Sequence, residues 1–280
     1  MRFKKVSIVL SVVIIVLLLL IGLKVSNILD RGTKEVEVAK GFIEELYNSG
    51  AIEENNIIKN DVIKEEAINK STNKNSKIKY SVIIGNYGVD INEDYKVLGF
   101  SNKNLGEKKY TSEEISEEIA INLAKSYVSE LTTESFDFKE IRVKEDDNSL
   151  VYNVIFYKYR EGYPYYKQEI NTLINKTTGK LEGYTNYPLE DINYVDNINI
   201  DEKEAIEIIN NNFKSKDVNI TIEEKPTLAY INTSDTEMVL AYIFNIKINN
   251  DNDKEEAFNS FVRADTGEVI NHNLEAVARK

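Results

Sequence analysis

The chain has no cysteine, no tryptophan and a single histidine among its 280 residues. Without cysteine it can form no disulfide, thiolate metal site, thiol nucleophile or lipidated-cysteine anchor. That absence alone suits an oxidising exterior and the cytosol alike. The lone histidine, His272, rules out HExxH and any zinc site built on several histidines. A Ser-His-Asp site would have to use it, yet no GxSxG stretch is present, and His272 reads as an exposed strand end. Glycine-rich nucleotide signatures are missing too. Basic residues are outnumbered, with 35 Lys and Arg against 47 Asp and Glu. Residues 1–24 carry four basic side chains and no acidic one, so the −12 of the whole chain leaves −16 for the rest. Such a surface argues against nucleic acid and against adsorption to anionic lipid, while a cationic partner or bound cations fit it.

What the sequence does have begins at the N-terminus. Arg2, Lys4 and Lys5 precede an uncharged run of 18 residues, Val6–Leu23. As a helix this run spans roughly 27 Å, close to the ~30 Å hydrocarbon core of a bilayer. It is longer than the ~7–15-residue apolar region of a signal peptide, and no Ala-x-Ala follows it. The reading is an uncleaved single-pass transmembrane helix at 6–23. Its basic flank, residues 1–5, stays cytoplasmic, a tether covers 24–34, and everything beyond is extracytoplasmic.

The exterior part reads as helix-then-strands, three times. In 35–105, Val36, Ala39, Phe42, Ile43 and Leu46 make a helical stripe. A less regular helix is expected over 57–68, a strand over Tyr80–Ile84, and a hairpin from strands at Val89–Asn92 and Val97–Ser101. In 111–188, Thr111-Ser-Glu-Glu114 is a capping-box pattern. The stripe after it includes Ile115, Ile119, Ala120, Leu123, Ala124, Tyr127, Val128 and Leu131. Strands are expected over 138–143, 150–159, 165–175 and 180–186, with turns at Glu161-Gly162 and Thr178-Gly179. In 199–275, Asp201-x-x-Glu204 caps a helix bearing Ala205, Ile206, Ile209 and Phe213, with strands over 226–231, 239–249, 258–264 and 268–273. The intervening stretch 188–199 is a polar linker in which Tyr194 and Val195 can dock. The predicted fold class is therefore α+β: tandem small modules, each a helix packed on an antiparallel sheet, after an N-terminal transmembrane helix. Seventeen tyrosines suit sheet faces whose hydroxyls reach water.

The recurring turn has a structural explanation. Gly179 and Gly267 can take a positive φ that side chains disfavour, and Asp265 can organise the bend through its carboxylate. The corresponding bend in the first copy, around Glu93–Lys96, contains no glycine. The glutamates 113, 114, 117 and 118 complement exposed helix N–H groups and need no catalytic account. Asp251-Asn-Asp253-Lys-Glu255 begins like a calcium loop but lacks glycine at position six, and position twelve is Val262 instead of a glutamate. Glu161-Gly-Tyr-Pro-Tyr-Tyr166 is the leading surface candidate. Tyr163, Tyr165 and Tyr166 cannot all face one core, and tyrosine supplies contact area at little rotamer cost.

Asp201-Glu-Lys-Glu-Ala205-Ile-Glu-Ile-Ile, with Phe261-Val-Arg-Ala-Asp265-Thr-Gly267-Glu-Val after the strands, resembles a PepSY domain. The 111–188 unit is similar to the PepSY-like repeats of YcdB/YcdC-type extracytoplasmic proteins, through Glu161–Tyr166 and Lys176-Thr-Thr-Gly-Lys-Leu181. The 35–105 unit fits as a degenerate copy. The resemblance implies small helix-and-sheet modules outside the membrane, no catalytic residues to carry over, and a role in restraining or organising a peptidase or cell-wall hydrolase on a separate chain. The expected function is thus a membrane-anchored, extracytoplasmic, non-catalytic binding protein with no cofactor, no metal site and no nucleic-acid partner. The alternatives are a structural cell-envelope spacer and a carboxylate-based wall hydrolase.

Overall fold

A computed structural model of the chain describes residues 33–53, 66–73, 76–103, 113–142, 149–215, 220–234, 236–249 and 255–270. The apolar run 6–23, the Thr111 half of the capping box, Asp251–Asp253, His272 and residues 57–65 of the expected second helix lie outside them. Among the described residues no helix is long and apolar enough to cross a membrane. The architecture is mixed α+β, and the chain divides into two compact units. The first comprises Met1–Tyr127, Val143–Asn153 and Thr172–Asn186. The second comprises Val128–Arg142, Val154–Asn171 and Tyr187–Lys280.

In the first unit, helix α1 (Thr33–Asn48) buries Val36, Ala39, Ile43 and Leu46. Its stripe seals one face of an antiparallel sheet whose strands are β1 (Glu66–Lys70), β2 (Tyr80–Ile84), β3 (Tyr87–Ile91) and β4 (Val97–Asn102). Strand β1 takes residues 66–68 from the expected second helix. The backbone there pairs with β2, Glu66 opposite Ile84, and those ladder bonds outweigh a weak helical pattern. Strand β8 (Leu181–Asn186) adds to β4, Phe100 opposite Tyr184.

Helix α2 (Glu117–Leu131) starts later than the capping-box pattern implies. Ser116 supplies the cap, its Oγ accepting from the Ile119 N–H at 3.3 Å. The buried stripe is Ala120, Ala124, Tyr127 and Val128, so Ile119, expected on that stripe, sits beside it and is 49% exposed.

Strand β5 (Ser135–Arg142) pairs with β6 (Val151–Arg160), and β6 pairs with β7 (Tyr163–Asn175); residues 154–160 of β6 and 163–171 of β7 belong with β5 to the second unit, and 151–153 and 172–175 to the first. The β6–β7 turn places Glu161 and Gly162 at φ +50° and +82°, the pair of left-handed residues that a tight hairpin needs. Strand β12 (Glu237–Asn249) is the spine of the remaining sheet. Strands β10 (Ile220–Ile222) and β11 (Thr227–Ser234) lie along one of its edges. Strands β9 (Asn193–Val195) and β13 (Glu255–Arg263) lie along the other, and β14 (Val269–Ile270) closes beyond β13. Strand β7 meets β11 in parallel at Tyr165 and Tyr230.

Helix α3 (Glu202–Lys214) carries a full capping box: Asp201 accepts from the Glu204 N–H at 2.9 Å, and Glu204 accepts from the Asp201 N–H at 3.0 Å. It buries Ala205, Ile209 and Phe213 against Tyr242, Phe244, Ile246 and Val262 of the sheet. Burying side chains of the larger kind stabilises by about 1.5–3 kcal/mol each.

The same local device appears once in each unit. Gly179 has φ +69° and sits beneath Leu123 of α2, while Gly267 has φ +75° and sits beneath Ile208 of α3. The Ile115 N–H donates to the Lys176 carbonyl, as the Ile200 N–H does to that of Ala264. The Tyr152 hydroxyl donates to the Ile115 carbonyl, and the Tyr242 hydroxyl to that of Ile200. In both cases a tyrosine and a glycine turn hold down the segment that enters the helix.

The turn in 92–96 reaches the same end without glycine. Tyr95 takes φ +65°, a conformation costing roughly 1–2 kcal/mol for a residue with a Cβ. Asn92 offsets this by accepting from the Asp94 and Lys96 N–H groups at 3.0 and 2.8 Å. The Tyr95 ring stacks on Tyr80 and lies under the Lys34 ammonium at 3.8 Å.

Candidate binding cleft

Alternation along β7 sends its tyrosines to opposite faces of the second unit's sheet. Tyr163 and Tyr165 face the α3 side, where both pack on Tyr230. Tyr165 donates its hydroxyl to Tyr194 at 3.1 Å, and Tyr230 donates to Asp196 at 2.8 Å. The Arg160 guanidinium lies 4.0 Å above the Tyr194 ring and 3.5 Å from Asp196. Burial, with its bond to Asp196, pushes the Tyr230 phenol up to about 12. Burial, then the bond to Tyr194, pushes Tyr165 up as well. This layer clamps β9 and the segment around it, so Tyr163 and Tyr165 do packing work there, each half-buried.

Tyr166 faces the other way. It meets the Phe261 ring at 5.1 Å and accepts from Asn259 Nδ2 at 2.7 Å. It thereby forms one wall of a cleft of about 560 Å³, within the range typical of ligand pockets. Ile231 and Phe261, each 1% exposed, supply the apolar floor. Asn245 and Asn259 bring side-chain amides to it, and Asn232 lines it from β11. Register explains the grouping: Asn245 and Asn259 are directly opposed across β12 and β13, one step along the face from Ile243 and Phe261. The buried residues of this face, Ile231, Val239, Ala241 and Phe261, all belong to strands.

The other residues singled out in the sequence lie elsewhere. Gly179 belongs to the first unit, where a Cβ would come 2.7 Å from the Leu123 methyl. Asp265 and Gly267 form the turn after β13. There Arg263 donates to Asp265 through Nε and a terminal nitrogen at 2.8 and 2.7 Å, and this pairing holds the carboxyl below its ordinary range. A buried lysine went unsuspected: Lys158, 1% exposed, reaches the half-buried Glu134 at 3.0 Å and the Tyr187 carbonyl at 2.8 Å. Among the described residues no group of three or more His, Cys, Asp or Glu could hold a metal ion. The cleft amides left a faint trace in the sequence. Along one face of β12, Val239, Ala241 and Ile243 give way to Asn245 and Lys247. Apolar alternation turns polar there, but the opposing Asn259 emerges only with the register.

No protein-family model matches the chain, and no curated protein matches it. Solved structures do resemble it. The C-terminal domain of YpeB from Bacillus megaterium is 20% identical, with 77% of this chain and 92% of that chain covered at a TM-score of 0.44. An uncharacterized protein from Eubacterium rectale is 14% identical, with 82% of this chain and 80% of that chain covered at a TM-score of 0.41. At these scores neither likeness assigns a role.

Proposed function

We propose that the chain is a membrane-anchored, extracytoplasmic protein that binds without catalysing, and that it restrains or positions a peptidase or cell-wall hydrolase carried by another chain. The cleft on the sheet face opposite α3 carries this reading. Its lining offers rings, aliphatic floor and amides, a combination suited to contact more than to bond-making. The uncharged run 6–23 behind a basic flank supports the anchor. The −16 charge beyond residue 24 favours a neutral or basic partner surface.

The test is crosslinking in native membranes from a photoreactive residue placed at position 245. The captured protein is identified, and its hydrolytic rate is measured with and without the purified chain. A captured hydrolase whose rate changes is the expected result. A rate that stays constant at saturating chain removes the restraint reading, and labelling of the 35–275 region from the cytoplasm removes the location.

A further inference from the structure

We infer that the end of the first unit at which α1 begins is a docking surface for the anionic headgroups of the bilayer that holds the chain's own anchor. The inference rests on the anchor proposed above and adds the face that meets the membrane.

Three pieces of the first unit converge at this end: the start of α1, the connection from β1 to β2, and the bend from β3 to β4. Lys34 lies 3.8 Å over the Tyr95 ring, Tyr95 stacks on Tyr80 with centroids 5.5 Å apart, and Lys70 lies 5.3 Å over Tyr80. Two stacked rings thus hold two ammonium groups at one end of the sheet. Lys70 and Lys79 flank the β1–β2 connection, where the Ser71 N–H donates to the Lys79 carbonyl. Among the described residues no carboxylate pairs with Lys34, Lys70 or Lys79. Between residues 70 and 79 the sequence has four lysines and no acidic residue, in a chain of net charge −12. The acids at this end are the buried Glu35 and the exposed Glu93 and Asp94 of the bend, where Lys96 stands beside them.

The chain arrives from the anchor at this same end. Ten peptide steps separate Leu23 from Thr33, a reach of at most about 35 Å when fully extended. Tyrosine and lysine are side chains that favour a headgroup layer. Each lysine near an anionic surface adds about fivefold to the binding equilibrium. The acidic remainder of the chain opposes adsorption overall, but charges beyond about 8 Å are screened at physiological ionic strength, so the nearby lysines decide. An acidic segment of another protein is the competing occupant. The tether favours the bilayer, because it keeps that surface permanently within reach.

The experiment uses the full chain, whose lack of cysteine lets one introduced cysteine carry one fluorophore. Thr72→Cys marks the exposed β1–β2 connection, and Asn48→Cys marks the far end of α1, about 20 Å from Lys34 along the helix. The chain is reconstituted in vesicles of phosphatidylcholine alone and of its equimolar mixture with phosphatidylglycerol, each carrying a headgroup quencher. Quenching at position 72 is expected to rise in the mixed vesicles, to exceed that at position 48, and to fall back in salt of about 0.5 M. Replacing Lys70, Lys77 and Lys79 together by glutamine is expected to lower the ratio of seated to free chain by about a hundredfold. Equal quenching at position 72 in the two lipids, quenching at 48 that matches 72, or an unchanged ratio in the triple variant overturns the inference. The first two comparisons keep every lysine, so they decide the matter even where the triple variant folds poorly. Flotation with the vesicles in alkaline carbonate separates this inference from the anchor. A chain that floats without lipid-dependent quenching keeps its anchor and loses this surface, and a chain that does not float loses both.

Discussion

The Tyr242 hydroxyl donates to the Ile200 carbonyl at 3.0 Å, and so ties the middle of β12 to the residue just before the α3 cap. Burial, and after it the carboxylates of Asp201 and Glu202, raises this phenol above its usual value. The group therefore stays protonated and donating through neutral pH. Tyr152 makes the matching bond to Ile115 at 2.8 Å and is raised by burial and by Glu114 and Glu117. Tyr242→Phe keeps the ring and removes only the donor, leaving a half-buried carbonyl to find water. The expected loss is about 1 kcal/mol, measured by urea denaturation. An unchanged midpoint would mean that the bond does not help to seat the helix.

The glycine turns make a second prediction. Gly179→Ala must hold φ near +69° and place a methyl 2.7 Å from the Leu123 Cδ1. The backbone term costs about 1–2 kcal/mol. The contact adds less, because the end of a leucine side chain can rotate away. Gly267→Ala faces the same backbone cost with a 3.0 Å approach to Ile208. Both variants should melt earlier than the parent, Gly179→Ala by the larger margin. Equal stability to the parent would show that these turns relax without cost.

Much of this arrangement is legible in the sequence because it is written locally. Alternation marks β2, Glu161-Gly162 marks the β6–β7 turn, and Asp201-x-x-Glu204 marks the start of α3. What was illegible depends on distant partners. β1 reads as helix until β2 offers it a ladder, and β9 and β10 are three-residue strands that exist only because β12 is long enough to hold two partners on each edge. The hairpin bend around Glu93–Lys96 is legible too, but not that Tyr95 takes the glycine conformation in it, held by Asn92 and by the Tyr80 ring. The cleft hides for a related reason. Asn232, Asn245 and Asn259 are unremarkable singly, and only the pairing of β12 with β11 and β13 gathers them. Tyr163, Tyr165 and Tyr166 show the converse, where simple alternation already required that they part.

Asp265 links the last turn to pH. Its pairing with Arg263 holds its folded pKa below the unfolded carboxylate value, which is about 3.9. The sign follows from linkage: the pair's contribution is fully present above the unfolded pKa and is lost as pH falls through the lower folded one. Asp265→Asn should therefore narrow its stability gap to the parent as the pH is lowered below about 4. Near neutrality the gap should be about 1–2 kcal/mol, the scale of a charge-assisted pair that is partly shielded. The measurement is a series of thermal melts across acid pH. A gap that stays constant down to the most acid melt would assign the effect to the turn's backbone and not to the ion pair.

Glu182 offers the strictest test of packing in the first unit. It is 4% exposed, and its two carboxylate oxygens accept from different amides, Asn102 Nδ2 at 2.6 Å and Asn175 Nδ2 at 2.9 Å. One side chain on β8 thus ties to residues of β4 and β7. Glu182→Gln keeps the shape but replaces one acceptor with a donor, so one asparagine amide meets another N–H. A buried donor left without a partner costs about 1–3 kcal/mol, and that loss is the expectation. Asn175 cannot simply flip to escape it, because its Oδ1 already accepts from the Thr177 and Thr178 N–H groups that shape the turn before Gly179. Asn102 and Glu182 share the 2.6 Å bond that both substitutions remove, so Asn102→Ala combined with Glu182→Gln should cost less than the two single losses added together. Full additivity of the two would show that the amides and the carboxylate act independently, and the bridge from β4 through β8 to β7 would then contribute nothing as a unit.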